Sequence, residues 1–315
     1  MKFAKLTKAQ VIRRPILLGC VLAGGFAVLC IRSNPHWEPA PQDIILHDVQ
    51  TNPFVNPDGM TQETRILPPD GYTRIPVAED SFQSYLRAMP MLPNGAELCT
   101  YNGGVLSSSN AAAVYAMNIG DEGFQQCADS IIRVYSEYFY ATNQTERITF
   151  HLSNGFLCDY DTWSHGKRVF ALGNLTFWMK CAKSDDSIQT LHNYLVTVMR
   201  YAGTISLYDE STPISIDDAH AGDFFCRAGS PGHVILIADE AENEDGERCF
   251  LLAQGAIPAQ SFHILAGSHN ADSPWYTETE LTDEKMNLSG YHFDADALRR
   301  WNGGFTQEIQ PKELD

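Results

Sequence analysis

Residues Gly222 to Asp239 read GDFFCRAGSPGHVILIAD and set one histidine at the mouth of a buried strand. Val234 to Ala238 is an unbroken apolar run, rich in β-branched residues and too short to span a membrane. It predicts a strand covered on both faces and ended by Asp239. Gly229, Ser230, Pro231 and Gly232 are turn formers, so His233 stands where a loop becomes a strand. Upstream, Asp223, Phe224 and Phe225 predict a second short strand, joined to the first as a hairpin through Arg227 to Gly232. Beyond Arg248 a third strand, Cys249 to Ala253, runs into Gln254.

Adjacent antiparallel strands bring the first residue of one and the last of the next to the same end of a sheet, which pairs His233 with Gln254. A side-chain amide there fixes an imidazole, and a nucleophile on the other ring nitrogen completes a catalytic arrangement. The candidate nucleophile is Cys127, in GFQQCADSIIRVYSEYFY (Gly123 to Tyr140), where a glycine-led loop gives way to a helix expected from about Phe124 to Tyr140. Exposed amides and the macrodipole at a helix start lower a thiol pKa. The competing reading is structural. Cys127, Ile131, Val134 and Tyr138 recur at helical spacing and form an apolar stripe in which a cysteine is a small core residue. Gln126, Asp129, Ser130, Arg133 and Glu137 make the polar face, with Arg133 and Glu137 spaced to pair. His263 is a second candidate base, expected on the exposed side of a strand opposite Phe262 and Ile264.

The chain has 315 residues and a net charge of −17. Residues 1 to 32 hold six basic and no acidic side chains, leaving −23 on the remainder. A body this acidic repels phosphate backbones and argues against nucleic acid as a partner. The basic leader and the apolar run Ile16 to Ile31 predict an export signal or membrane anchor over 1–32. Leu17 to Cys20 carries a weak lipidation signal. Residues 33–64 then read as an extended tether and 65–315 as a single domain. Six cysteines follow the leader, of which Cys226 and Cys249 are a candidate disulfide across the expected hairpins. No CxxC, HExxH or Cys/His spacing points to a metal, and no motif points to a cofactor. Asn143, Asn174 and Asn287 fit the glycosylation sequon.

Elsewhere the patterns predict a helix Phe82 to Ala88 capped by Ser81, a hairpin around Tyr101 to Gly104, strands at Arg147 to Leu152 and Leu172 to Lys180, and a helix Ser187 to Tyr201. A loop is expected after Gly203, and a closing strand and short helix between Tyr291 and Trp301.

From about Arg65 to Trp301 the chain resembles a bacterial domain-of-unknown-function family numbered 4846. The residues that carry the likeness are QQCAD at Gln125 to Asp129, the Arg133 and Glu137 pair, YAGTISL at Tyr201 to Leu207, and GSPGHVILIAD at Gly229 to Asp239. More distantly, a cysteine at a helix start, then GD, then HV at a strand, then a polar residue closing the next strand is similar to the CHAP and NlpC-type amidases of the papain-like superfold. That resemblance implies Cys127 as nucleophile, His233 as base, Gln254 as the orienting residue and Asp223 as a structural acid of the GD turn. Glutamine stands where that group more often has aspartate, glutamate, asparagine or histidine. The separation of about a hundred residues between cysteine and histidine implies a large insertion. The expected fold is α+β with a papain-like arrangement, the Cys127 helix packed on an antiparallel sheet. The expected function is an exported, membrane-tethered hydrolase of an amide in a peptide or muropeptide of the bacterial envelope, with Gln125 or Gln126 supporting the oxyanion. The alternative is a noncatalytic envelope-binding domain with Cys127 in its core.

Overall fold

A computed structural model of the chain describes residues 29–30, 44–47, 52–106, 111–173, 175–267, 273–283 and 286–303. All of the expected leader except 29–30, Cys20 included, lies outside the described residues, as do most of 33–51 and the sequon asparagine Asn174.

The fold is α+β. Its main sheet has nine strands: β1 (Tyr72–Arg74), β2 (Ala111–Val114), β3 (Ser211–Pro213), β4 (Phe224–Arg227), β5 (His233–Asn243), β6 (Arg248–Gln254), β7 (His263–Leu265), β8 (Trp275–Thr277) and β9 (Leu298–Trp301). All pairings are antiparallel, in the order β3-β9-β4-β5-β6-β7-β2, with β1 on the far part of β5 and β8 on the far part of β6. The expected hairpin forms as β4 and β5, with Arg227 opposite His233 and Phe224 opposite Leu236. Three helices bear on the site: α1 (Phe82–Ala88), capped by Ser81; α2 (Cys127–Ala141); and α3 (Ile188–Tyr201), capped by Ser187. The chain between α2 and β5 holds two further hairpins, Thr149–His151 with Leu157–Asp159 and Lys167–Leu172 with Leu175–Lys180, besides α3. Leu29–Cys30 pairs with the edge of the second.

Strand β5 does not stop at Asp239. It continues to Asn243 through an irregularity between Ile237 and Asp239, and Asp239 is fully buried. A lone carboxylate cannot be buried cheaply, but two guanidiniums meet this one: Arg74 Nε at 2.6 Å and Arg87 Nε at 2.8 Å. The charge that was expected to end the strand instead ties it to β1 and α1.

Helix α2 packs against β5 and β6 and is buried on nearly every side from Cys127 to Ser136, so its polar face is not a solvated one. Arg133 binds Glu137 at 2.7 Å and Gln125 at 2.8 Å, and Glu137 also meets His192 at 3.1 Å. The first turn of α2 lies against the end of β6. A Cβ on Gly255 would stand 2.5 Å from Ser130 Oγ and 2.8 Å from the Gln126 carbonyl oxygen, distances no side chain tolerates.

Packed structure also takes in residues upstream of 65, and four other expectations, on the loop after Gly203, the tail helix, the disulfide and His263, are corrected. Thr61 caps a short helix, Gln62–Arg65, and Gln62 is buried, donating to the Ala238 carbonyl at 2.9 Å and accepting from Tyr115 at 2.6 Å. Gly203 is followed by a short helix, Thr204–Asp209, and the tail forms the hairpin Asn287–Leu288 with Tyr291–His292 before β9, without a helix there. Cys226 and Cys249 are both free. They sit opposite Val234 and Ala241 on β5, seven residues apart, about 23 Å at strand rise and far outside disulfide range. His263 is buried, because β7 lies between β6 and β2 and both of its faces are covered.

Replacing Asp239 by alanine leaves Arg74 and Arg87 facing each other without a counter-charge and should cost about 3–5 kcal/mol, read as a lower Tm by circular dichroism. Gly255→Ala should push the first turn of α2 away from β6, lowering Tm and shifting the amide resonances of Gln126 to Ser130. An unchanged spectrum would mean that the approach is looser than the geometry states.

Candidate functional site

The loop before β5 needs glycine twice, at Gly229 for its backbone conformation and at Gly232 for a close approach. Gly229 has φ of 115°, and a Cβ on Gly232 would lie 2.3 Å from Thr204 Oγ1. The loop therefore rests on the start of the Thr204–Asp209 helix and delivers His233 to the end of the sheet nearest α2.

His233 is only 1% exposed. Its Nε2 lies 2.7 Å from Gln254 Oε1, so the two residues expected at one end of the sheet are joined there. Its Nδ1 has no hydrogen-bond partner among the described residues. One face of the ring is stacked on Tyr291, centroids 4.1 Å apart and planes 8° from parallel. Burial holds the imidazole pKa below its ordinary value, with the bond to Gln254 opposing, so the ring rests neutral at neutral pH.

Cys127 is the first residue of α2 and is 2% exposed. Its sulfur faces the backbone N–H groups of Val234, Ala128 and Cys127 itself. These donors favour a thiolate, but burial outweighs them and pushes the thiol up to about 11. The N–H of the residue after His233 thus lies toward the sulfur, while His233 Nδ1 has no hydrogen bond among the described residues. Two residues on, Asp129 accepts the Gln126 N–H at 3.0 Å through Oδ2, its Oδ1 has no partner among the described residues, and burial pushes the carboxyl up to about 8. Cys127, Gln126 and Asp129 line one side of a pocket of about 370 Å³, and Arg200, Thr204 and the Gly229–Gly232 loop line the other.

The remaining sequence candidates fall differently. Gln125 is fully buried, with its oxygen bonded to Arg133 and its nitrogen 3.1 Å from Met117 Sδ, and it does not line the pocket. Only Gln126 of the two glutamines borders the thiol. Asp223 receives Arg300 through both oxygens at 2.8 and 2.7 Å and caps the His220 N–H at 2.8 Å. It braces the turn before β4 and lies outside the pocket.

Three neighbours of the His233–Gln254 pair were not singled out from sequence for this place. Ser289 and Tyr291 come from the hairpin of the tail. Ser289 takes φ of 53° at its turn and accepts from Gln254 Nε2 at 2.7 Å, while Tyr291 covers His233. Asn287 to Ser289 fits only the glycosylation sequon, which says nothing of this place, so only the turn-forming Ser-Gly pair hints at it. His263, expected at the surface, lies with Nε2 3.4 Å from Gln254 Nε2.

Among the described residues, no group of three or more histidine, cysteine, aspartate and glutamate side chains is placed to hold a metal ion, and no helix is long and apolar enough to cross a membrane. No curated protein and no solved structure matches the chain. A family model does: over residues 62–300, from the helix that opens the fold to β9, the chain matches and belongs to the family described as domain of unknown function (4846).

Proposed function

We propose that this protein is a cysteine hydrolase of papain-like plan, exported and held at the membrane by its N-terminal segment, that cleaves an amide in a peptide or muropeptide. One observation carries the reading. A buried histidine has its Nε2 fixed by a glutamine oxygen 2.7 Å away and its Nδ1 left bare, beside a helix whose first residue is a cysteine bordering a pocket.

The chemistry follows from those atoms. Gln254 Oε1 can only accept, so Nε2 carries the ring proton and Nδ1 carries the lone pair. At rest the thiol and imidazole are both neutral. On attack, Cys127 turns from the Val234 N–H toward Nδ1 and gives up its proton there as Sγ bonds to the substrate carbonyl carbon. The oxygen that becomes negative is met by backbone N–H groups at the start of α2 and by the Gln126 amide. Collapse breaks the C–N bond, and the amine leaves with the proton from Nδ1. Water then gives a proton to Nδ1 and adds to the thioester, which releases the acid and restores the thiol. Asp223 acts through the fold alone.

The noncatalytic envelope-binding reading draws its support from the same burial, since a 2% exposed thiol is also what a core cysteine looks like. An electrophilic probe separates the two. In the folded full-length chain, iodoacetamide should modify Cys127 ahead of Cys158, Cys226 and Cys249, and faster as pH rises toward 11, with His233→Ala and Gln254→Ala each slowing labelling at neutral pH. Peptide or muropeptide hydrolysis should vanish in Cys127→Ser, and its acid limb should lie below the ordinary histidine value of 6.5, because His233 stays neutral further into acid. Labelling of Cys127 only after denaturation, together with no hydrolysis, would give the binding reading the field. Export is checked separately. The native chain should fractionate with membranes, and deletion of residues 1–32 should release it into the soluble fraction.

A further inference from the structure

Gln254 lies at the centre of a chain of buried polar groups whose donors and acceptors can be ordered from one end. His263 Nδ1 lies 2.9 Å from the Ser261 carbonyl oxygen, which only accepts, so Nδ1 carries the proton. In a neutral ring Nε2 then presents its lone pair. The ring is neutral, because burial and the nearby His233 press its pKa down to about 4. That lone pair faces Gln254 across 3.4 Å, and Ser289 Oγ faces the same end of the amide at 2.7 Å.

We propose that His263 is a positioning residue that holds the Gln254 amide with its nitrogen toward itself and its oxygen toward His233, with Ser289 Oγ accepting beside it, and so decides that Nδ1 is the bare nitrogen of His233. The inference rests on the cysteine-hydrolase reading for its purpose, but not for its geometry. Turning the amide over would set Gln254 Oε1 against the His263 lone pair and Gln254 Nε2 against His233. His233 would then have to accept at Nε2 and carry its proton on Nδ1, where it could not take one from Cys127. The order runs one way: Ser261 oxygen, His263 Nδ1–H, His263 Nε2, Gln254 N–H, Gln254 oxygen, His233 Nε2–H, His233 Nδ1. Tyr291, stacked at 4.1 Å, keeps the ring in the plane that meets Gln254. A buried amide left free to flip would lose this ordering, since its two ends differ little in shape.

The experiment is 15N NMR of histidine ring nitrogens in the full-length chain at pH 7, with Cys127 alkylation measured beside it. The wild-type spectrum should show His233 protonated on Nε2 and His263 on Nδ1, opposite tautomers in neighbouring rings. His263→Phe, which removes the acceptor, should give a mixture of His233 tautomers and slow Cys127 alkylation at least about tenfold, because a positioned base is worth about 10² to 10⁴ in rate. His263→Gln, whose amide oxygen can accept in the same place, should keep both wild-type properties. If His263→Phe does not fold, His263→Met is read instead, with the same shift expected. A wild-type His233 protonated on Nδ1, or a tautomer unmoved by His263→Phe or by His263→Met where that is the variant read, would overturn the proposal. Absence of any alkylation would count against the hydrolase reading and leave the tautomer result standing.

Discussion

The close approach of β6 to the first turn of α2 at Gly255 is the constraint on which the rest of this architecture turns. Gln254 and Cys127 come from elements more than a hundred positions apart in sequence, and only backbone-to-helix contact brings both to one end of the sheet. A glycine is required because Ser130 Oγ and the Gln126 carbonyl already fill the space that a side chain would take. Once that contact is made, the β4–β5 loop has one place to go. It closes against Thr204, and His233 enters between Gln254 and the tail hairpin. The sheet holds this end in register through the long β5–β6 pairing, and Asp239, clamped by Arg74 and Arg87, ties the other part of β5 to elements that precede it in sequence.

What the sequence made legible was local. Val234 to Ala238 declared a buried strand by composition, Ser81 declared a helix start by its hydroxyl, and the turn residues 229 to 232 placed His233 at a strand mouth. The pairing of His233 with Gln254 followed from antiparallel geometry and needed no tertiary knowledge. What misled was every inference that equated polarity with solvent. Asp239 looked like a strand terminator, His263 like a surface residue, and Asp129, Ser130 and Arg133 like a wet helix face. All are buried, and three of them find partners that sequence spacing does not reveal: two arginines from β1 and α1 for Asp239, the Gln254 amide for His263, and Gln125 for Arg133 beside the Glu137 that its spacing did predict. The disulfide expectation failed for a related reason. Cys226 on β4 and Cys249 on β6 flank β5 rather than each other, and register sets them toward opposite ends of it.

The electrostatics of the pocket can be weighed by magnitude. A helix N-terminus is worth about 0.3–1 kcal/mol to a nearby anion at an exposed site. The rise of the Cys127 thiol from 9.0 to about 11 corresponds to about 3 kcal/mol in the other direction, so burial exceeds the dipole and the sulfur keeps its proton at rest. Asp129 responds in the same way, reaching about 8 although it caps a backbone N–H, and His233 responds with the opposite sign because its charged form is the protonated one. All three shifts remove charge. These three groups therefore rest uncharged, which is the state burial favours.

A neutral resting site changes what the ordered polar chain has to accomplish. In an ion pair of thiolate and imidazolium, both ring nitrogens carry protons and the orientation of Gln254 would matter only for geometry. In a neutral pair, the ring has one proton and one lone pair, and the position of that proton decides whether His233 can act as a base at all. Burial, which costs the thiol its acidity, is thus the same feature that makes the amide orientation consequential. The low pKa of His263 belongs to this logic, because a cationic ring there would donate toward Gln254 from Nε2 and reverse the preference that orients the amide. The two buried histidines serve one arrangement only while both are uncharged, and the packing that keeps water from them keeps them so.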